Sequence, residues 1–246
     1  MTRNLKLVLE YDGSGFYGFQ KQPDRPTVQS ALEEALTKFF NRKTKISAAS
    51  GRTDTGVHAA GQVVNFKIKT DRPPAQIQKG INALLPKTVA VKSVEEAGKN
   101  FHARFKARFK TYEYRVWNSS VRSPLLAGKV FHVPEPLNLG AMRGGAKLLK
   151  GRHDFRSFCV TAGARENTVR TLKRFEIKKK GNLLSFHLEA DGFLHHMARN
   201  LVGTLLEMGR NKLDLQGLEK ILAAKDRRKA GATAPAFGLI LLSVSY

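Results

Sequence analysis

The most reactive pattern in this sequence is a carboxylate placed between an arginine and a histidine. Asp54 lies in a run that begins at Ser50, with Arg52 two residues before it and His58 four residues after it. Glycines punctuate the run, and glycine permits backbone angles with which a tight loop can present a side chain. A carboxylate beside a cation stays ionised, and it can act as a nucleophile or general base without a cofactor.

This local pattern leaves two interpretations open. Asp54 is either the reactive group of a site or the cap of its own loop, in an Asx-turn with Arg52 as a surface partner. After the loop, Val64, Phe66 and Ile68 alternate with polar residues, as in a half-buried strand. The sequence therefore predicts a tight loop that continues directly into a scaffold strand, a common setting for reactive groups.

Apolar periodicity along the chain predicts an α+β fold with helices on one face of a mainly antiparallel sheet. Period-two alternation predicts strands at Leu5–Tyr11, Ile46–Ser50, Val89–Val94, Lys110–Trp117, Val169–Lys178, Leu183–Ala190 and Gly238–Tyr246. Helical spacing predicts helices that follow Thr27, Pro74 and Asn138, and two more over Phe193–Met208 and Leu215–Ala224. We expect two halves, residues 1–105 with the Asp54 loop and residues 106–246 with the tyrosine strand and a helix that carries Arg199.

The predicted helix Phe193–Met208 is apolar around most of its circumference, yet Arg199 lies at its centre. A guanidinium in a buried helix is costly unless it faces a cleft or an acid, so Arg199 is a candidate site residue. An interior salt bridge to a structural carboxylate is the alternative. We expect no metal site at His195 and His196, because adjacent helical residues point in different directions and no cysteine cluster accompanies them.

The charge of the chain points to a polyanionic partner. Forty-three Lys and Arg against twenty Asp and Glu give a net charge of +23. Nucleic acid is the first candidate, ahead of an anionic membrane surface or a basic surface with no specific partner. The run Phe101–Lys110 contains Ala-Arg-Phe-Lys twice, a composition typical of surfaces that contact phosphates and stack on bases. Alternatively, its three Phe side chains lie in the core and its cations in solvent.

Several classes of protein are excluded by what the sequence lacks. It contains no phosphate-binding loop of the GxxxxGK type and no GxGxxG motif after a strand, so we expect no nucleotide cofactor. A single cysteine, Cys159, excludes an internal disulfide and a multi-thiolate zinc site, and indicates a reducing compartment. With no signal peptide or long apolar run, the sequence predicts a soluble, cytoplasmic protein.

Four blocks of the sequence, taken together, resemble one known family. Gly51–Ala59 is similar to the signature of the tRNA pseudouridine synthase A family. Tyr11–Gln20 resembles the first strand and loop of that family, Lys110–Arg115 its tyrosine strand and Phe193–Gly203 its central helix. The blocks occur in family order and span nearly the whole chain.

The resemblance implies a pseudouridine synthase fold, with two α/β halves, a continuous, mainly antiparallel sheet and a central cleft. It implies an isomerase that converts uridine to pseudouridine at positions 38, 39 and 40 of the tRNA anticodon stem-loop. The enzyme would be a homodimer that uses no cofactor and no metal. Asp54 would be the nucleophile or base, Arg52 its partner or the residue that fills the gap left by a flipped base, Tyr112 the ring that stacks on the uracil, and Arg199 the cation that keeps Asp54 ionised.

Cations of the basic run are predicted to contact tRNA phosphates, together with one from a later loop: Arg104, Lys106, Arg108, Lys110 and Arg165. Two other functions remain open from the residues alone. A non-catalytic RNA-binding module would explain the charge, but it gives no reason to place Asp54 within so basic a chain. A cofactor-free RNA hydrolase would use His58 or His195 as its base.

Overall fold

The computed structural model describes residues 2–160 and 167–246. Within these ranges the chain divides into two compact units, one formed by the chain up to Arg108 together with Ile240–Tyr246, and the other by Phe109–Leu239. The sequence placed the boundary after residue 105 and assigned the last strand to the second half. The structure instead adds this strand to the first unit, because it pairs with the strand that follows the Asp54 loop.

The first unit is a sheet with two helices. Its strands are β1 (Thr2–Tyr11), β2 (Ala48–Ala49), β3 (His58–Lys69), β4 (Val89–Ala97) and, from the chain end, β10 (Leu239–Ser245), and its helices are α1 (Val28–Phe40) and α2 (Pro74–Leu84). The strand order is β4-β1-β3-β10, with β2 beside β3. Strand β1 is antiparallel to β3 and β4, whereas β10 runs parallel to β3.

Local sequence chemistry explains why the first unit folds this way. The alternate residues Leu5, Leu7 and Leu9 of β1 are fully buried, which is the period-two pattern of a strand with one face in the core. Helix α1 begins after Thr27, whose hydroxyl accepts from the Ser30 amide while the Ser30 side chain accepts from the Thr27 amide. The predicted Thr27 cap is confirmed.

The second unit is a sheet with three helices. Its strands are β5 (Phe109–Asn118), β6 (Phe131–Val133), β7 (Gly151–Asp154), β8 (Val169–Lys180) and β9 (Leu183–Ala190), and its helices are α3 (Leu139–Leu148), α4 (Met197–Gly209) and α5 (Leu215–Ala224). The order β5-β9-β8-β7 is antiparallel throughout, and β6 runs parallel to β5. Helix α3 packs against α4, α5 and β8.

Most predicted elements are confirmed, and the α+β class with mainly antiparallel pairing holds in both units. The Asn138 and Asp214 caps are present, since each side chain accepts from a first-turn amide of its helix. Strands β6 and β7 were missed because each is four residues or fewer, too short to show a period. No helix in the two described ranges is long and apolar enough to cross a membrane.

A buried amide pair ties the segment after β4 to the first sheet. Asn4 and Asn65 are 5% and 1% exposed, and Asn65 Nδ2 donates to Asn4 Oδ1 at 3.0 Å. Asn4 Nδ2 in turn donates to the carbonyls of Gly98 and Phe101, and Asn65 Oδ1 accepts from the Ala103 amide. These bonds fix the backbone path of residues 98–103, since buried amides need partners.

Candidate active site

The Asp54 loop is fixed at both ends by buried side chains of the first unit. The Ser50 hydroxyl donates to Gln62 Oε1, and Gln62 Nε2 donates to the carbonyl of Gly51. The hydroxyls of Tyr11 and Thr53 lie 2.8 Å apart. Ser50 and Gln62 are fully buried, and burial raises the pKa of the Tyr11 phenol, so this network stays neutral. The loop therefore has little freedom at the positions on either side of Asp54.

Close backbone contact holds the middle of the same loop. Gly18 has φ +83°, and a Cβ there would lie 2.7 Å from the Thr53 carbonyl oxygen. A Cβ at Gly13 would collide with the carbonyl of Val57. The loop after β1 thus lies directly against residues 53–57, at a distance that only glycine allows. The resemblance covered these two glycines within Tyr11–Gln20, but their contact with the Asp54 loop was not predicted.

Asp54 is partly exposed and Arg52 is exposed, whereas Thr53 and Val57 are buried. The turn is closed by the backbone, because the Val57 amide donates to the Asp54 carbonyl at 3.1 Å and Gly56 has φ +79°. A turn closed in this way does not require the carboxylate as its cap. The role of Asp54 as a site residue rather than the cap of an Asx-turn stays a prediction.

His58 has a structural role at the start of β3. Its side chain is buried, and its Nδ1 accepts from the Gly13 amide at 3.0 Å. The same nitrogen lies 3.1 Å from Asp12 Oδ1. The ring therefore links the turn after β1 to the strand that follows the Asp54 loop. A general base must reach its substrate, so this burial weighs against the hydrolase with His58 as base.

In the second unit, Tyr112 lies on β5 opposite Leu188 of β9. It is 7% exposed, and its ring meets that of Phe193 edge to face, with centroids 4.9 Å apart and an interplanar angle of 78°.

Tyr114 lies two residues further along the same strand. Its hydroxyl donates to the Pro235 carbonyl, and burial raises the pKa of its phenol. The nearby Arg199 guanidinium partly offsets that rise in the Tyr114 pKa.

Arg199 is half-buried in the first turn of α4, and the loop after α5 orients it. Its Nε donates to the Ala234 carbonyl at 2.7 Å, while the Ala234 amide donates to the Arg199 carbonyl. The alternative role for Arg199, an interior salt bridge to a structural carboxylate, stays a prediction. The hydrogen bond through Nε fixes the plane of the guanidinium, because the group is rigid and planar.

A buried polar network holds the loop that orients Arg199. Asn200 is fully buried; its Nδ2 donates to the Phe158 carbonyl, and its Oδ1 accepts from the Thr233 hydroxyl and from Arg227. Arg227 also donates to the Thr233 hydroxyl oxygen, and burial lowers the pKa of its guanidinium. Sequence reasoning missed this network, although a lone asparagine within a nearly continuous apolar helix was a signal of a buried polar contact.

The predicted helix Phe193–Met208 is corrected at its start. Helix α4 begins at Met197, because His196 has φ +62° and a left-handed residue cannot lie within a right-handed helix. His195 and His196 therefore precede the helix, with ring centroids 4.1 Å apart. The argument that they are adjacent helical residues was wrong, and the expectation of no metal there remains a prediction.

The basic run places most of its cations on the surface. Arg104, Lys106 and Arg108 are exposed, and Lys110 is half-buried on β5. Phe105 is 76% exposed, so the alternative that put all three Phe side chains in the core is wrong for this residue. Arg165, the remaining predicted phosphate contact, lies outside the described residues.

Comparison with known proteins assigns the chain to a family of RNA-modifying isomerases. The sequence matches the family model described as tRNA pseudouridine synthase over residues 7–106 and 146–246. Because this match covers most of the chain, the protein belongs to the tRNA pseudouridine synthase family.

Curated relatives agree with this assignment over the full length. The chain is 44% identical over 247 residues to tRNA pseudouridine synthase A of Geobacillus kaustophilus, covering 100% of this chain and 95% of that protein. It is 45% identical to the protein of the same name from Chromobacterium violaceum, over 98% of this chain and 92% of that one. It is 38% identical to the protein of the same name from Acetivibrio thermocellus, over 99% of this chain and 100% of that protein.

Helix α4 offers a test of how the Arg199 loop is held. A Cβ at Gly203 would collide with the carbonyl of Ala232. Gly203→Ala would gain about 1 kcal/mol if helix propensity alone applied. We expect it instead to lower the free energy of unfolding by about 1–3 kcal/mol, the usual cost of overpacking. Urea denaturation measures this change, and faster solvent exchange of the Arg199 Nε proton by NMR would show the loop displaced.

The matched control is Gly15→Ala, since a Cβ at Gly15 has no neighbour within 4 Å. We expect its free energy of unfolding to remain within about 0.5 kcal/mol of the parent value. If Gly203→Ala proved more stable than the parent protein, the close contact between the helix and the loop would be refuted.

Proposed function

We propose that this protein isomerises uridine to pseudouridine at positions 38, 39 and 40 of the tRNA anticodon stem-loop. The observation that carries the proposal is the family membership over nearly the whole chain, with Asp54 in a loop fixed on both sides. We further propose that Asp54 of the first unit and Tyr112 and Arg199 of the second act on the same uridine. The enzyme would work in the cytoplasm, where its tRNA substrate is found.

The reaction conserves atoms and electrons. The N1–C1′ bond of the nucleotide breaks, the uracil turns, and a C5–C1′ bond forms; the proton on C5 is lost and N1 gains one. No oxidant or reductant is needed. Asp54 could attack C1′, add to C6 of the uracil, or remove the 2′ proton. Each of these routes begins from an ionised carboxylate that touches the nucleotide, and Asp54 is partly exposed on a fixed loop.

Three further residues receive roles in this proposal. Arg199, whose Nε donates to the Ala234 carbonyl, is proposed to stabilise the ionised Asp54. Tyr112, whose ring is already packed edge-on against Phe193, stacks on the uracil and its hydroxyl helps to move the C5 proton. Arg52, exposed on the loop, pairs with Asp54 or occupies the space left by the flipped base.

A uridine in a stem-loop is stacked or paired, so it must be flipped out to reach a carboxylate, at a cost of a few kcal/mol. Contacts with the phosphates would supply that energy. We propose Arg104, Lys106, Arg108, Lys110 and Arg165 as phosphate contacts; the first three are exposed on the surface of the first unit. A non-catalytic RNA-binding module would need these cations, but it would not need the Asp54 loop.

Replacement of Asp54 tests the catalytic role. Asp54→Asn keeps the shape of the side chain but removes its charge, so it can neither attack carbon nor accept a proton. We expect the rate of pseudouridine formation on unmodified tRNA to fall by at least about 10²–10⁴-fold. The affinity for tRNA should stay within about threefold, because a carboxylate contributes nothing to phosphate binding.

Asp71→Asn is the matched control, since Asp71 is an exposed aspartate of the same unit, and we expect it to leave the rate unchanged. Substantial turnover by Asp54→Asn would refute Asp54 as nucleophile or base. Products of tRNA cleavage would favour the hydrolase, and binding without any reaction by the parent protein would favour the RNA-binding module.

Tyr112→Phe separates the ring from its hydroxyl. We expect tRNA affinity to be retained, because the ring that stacks remains, and turnover to fall by about 10²-fold or more, because general acid–base transfer is lost. Trp117→Phe is the control on the same strand: it loses the hydrogen bond from its indole to the Val121 carbonyl, so it should lower stability but not turnover. Unchanged turnover in Tyr112→Phe would remove the hydroxyl from the mechanism.

We also infer that the enzyme is a homodimer that binds one tRNA across both subunits, as the family resemblance implies. Light scattering should give twice the 27.3 kDa mass of one chain. Titration with tRNA should saturate at one tRNA for two chains. A mass equal to one chain at micromolar concentration would refute the dimer.

A further inference from the structure

A pocket lies beside the basic run, entirely within the first unit. Its volume is about 510 Å³, within the range of pockets that hold small ligands. It is lined by Gly98, Lys99, Asn100, Phe101, Lys106, Arg108 and Tyr246. The lining therefore combines three cations, an amide and two aromatic rings. The proposed reaction uses none of these groups on the reacting uridine.

The cations of this pocket differ from those on the neighbouring strands. On β1 and β4, cations have acidic partners: Arg3 with Glu96, Lys6 with Glu95 and Lys92 with Glu10. In the chain itself, no acidic residue occurs between Glu96 and Glu113. Among the residues that the structure describes, Lys99, Lys106 and Arg108 form no ion pair. Three unneutralised cations around one pocket create a local positive potential that attracts an anion.

The aromatic part of the pocket is held in place. The rings of Phe101 and Tyr246 have centroids 4.9 Å apart and are tilted by 56°. The Tyr246 hydroxyl donates to the Ala103 carbonyl at 2.9 Å, and the Lys6 ammonium lies 5.7 Å from the Tyr246 ring centroid. The Asn4–Asn65 amide pair fixes the backbone that carries Phe101. The rings are therefore preorganised, so a ligand pays little entropy to order them.

We propose that this pocket binds one unpaired nucleotide of the RNA substrate, at a place other than the reacting uridine. Its phosphate lies among Lys99, Lys106 and Arg108, and its base lies against Phe101 and Tyr246. A positive groove combined with aromatic rings is how proteins bind single-stranded nucleic acid without sequence preference. The proposal rests on the proposed function for RNA as the partner, and it adds a second, non-catalytic contact.

Phe105 extends this site along the chain. It is 76% exposed, yet its ring stacks on His102, with centroids 4.3 Å apart and planes 25° apart. The Arg104 guanidinium lies 5.8 Å from the same ring. The His102 Nδ1 accepts from the Arg104 and Phe105 amides, which fixes the turn. A neighbouring base can stack on the outer face of Phe105, so the site suits consecutive unpaired nucleotides.

The test uses a short oligoadenylate, which contains no uridine and so cannot be a substrate. Fluorescence anisotropy with the full-length protein should show binding that the double variant Lys99→Gln, Lys106→Gln weakens at least fivefold. That variant should also reduce the slope of log affinity against log salt by about 1–2, since two phosphate contacts are lost. Lys87→Gln, an exposed lysine of the same unit outside the pocket, is the control and should change neither value.

A second pair of variants tests the aromatic part. Phe101→Leu should weaken oligoadenylate binding but leave the binding of inorganic polyphosphate unchanged, whereas Phe101→Tyr retains a ring and should bind oligoadenylate normally. Thermal denaturation of each variant checks that the fold is intact. Equal loss for polyphosphate, or no loss in Phe101→Leu, would overturn the nucleotide site in favour of a general anion surface.

Pseudouridine formation separates this proposal from the proposed function. In the lysine double variant, we expect KM for tRNA to rise while kcat stays unchanged. If the parent protein makes pseudouridine but the double variant binds oligoadenylate and tRNA normally, the pocket is refuted and the function stands. If the parent protein makes no pseudouridine but binds oligoadenylate through the pocket, the function is refuted and the pocket stands.

Discussion

The structure depends on backbone segments in direct contact, at distances that are possible only because the residues there are glycines without a Cβ. In the first unit, the loop after β1 lies against residues 53–57 because Gly13 and Gly18 carry no Cβ. That contact helps to set the position of the Asp54 loop. Two backbones in direct contact have few alternative arrangements, because protein interiors are close-packed and a shift of one requires a shift of the other. A reactive carboxylate gains from such rigidity, since misplacement costs rate.

In the second unit, close backbone contact likewise positions the loop that binds Arg199. Gly203 of α4 lies against the Ala232 carbonyl, and the Gly231 amide donates to the Thr204 hydroxyl. The loop so attached carries Ala234, whose carbonyl binds Arg199. Asn200, one residue further along the helix, holds the loop from its buried side. Thus, in each unit, a residue proposed for catalysis lies next to buried groups that have no chemistry of their own but fix its geometry.

These supporting contacts mark the limit of what the sequence predicted. Strands and helices followed from local periodicity, because burial of one face imposes a period on the sequence. The caps followed because the unpaired backbone amides at the start of a helix need a side-chain acceptor. Asp54 and Tyr112 were predicted from motifs and Arg199 from one cation in an apolar helix, and their roles stay predictions. The start of α4 did not follow, since the left-handed conformation of His196 depends on tertiary contacts and leaves no periodic signal. The Asn200 network likewise joins residues distant in sequence, which no local pattern reveals.

Three ion pairs join β1 to β4 in the first unit. A surface ion pair contributes about 0–1 kcal/mol, so the pairs on β1 and β4 do little for stability. Their effect is to neutralise that face, whereas Lys99, Lys106 and Arg108, in the segment after β4, keep their charge beside the two aromatic rings of the pocket. In the proposed function, phosphate contacts at these cations supply the energy of flipping, whereas Asp54 meets the flipped base itself.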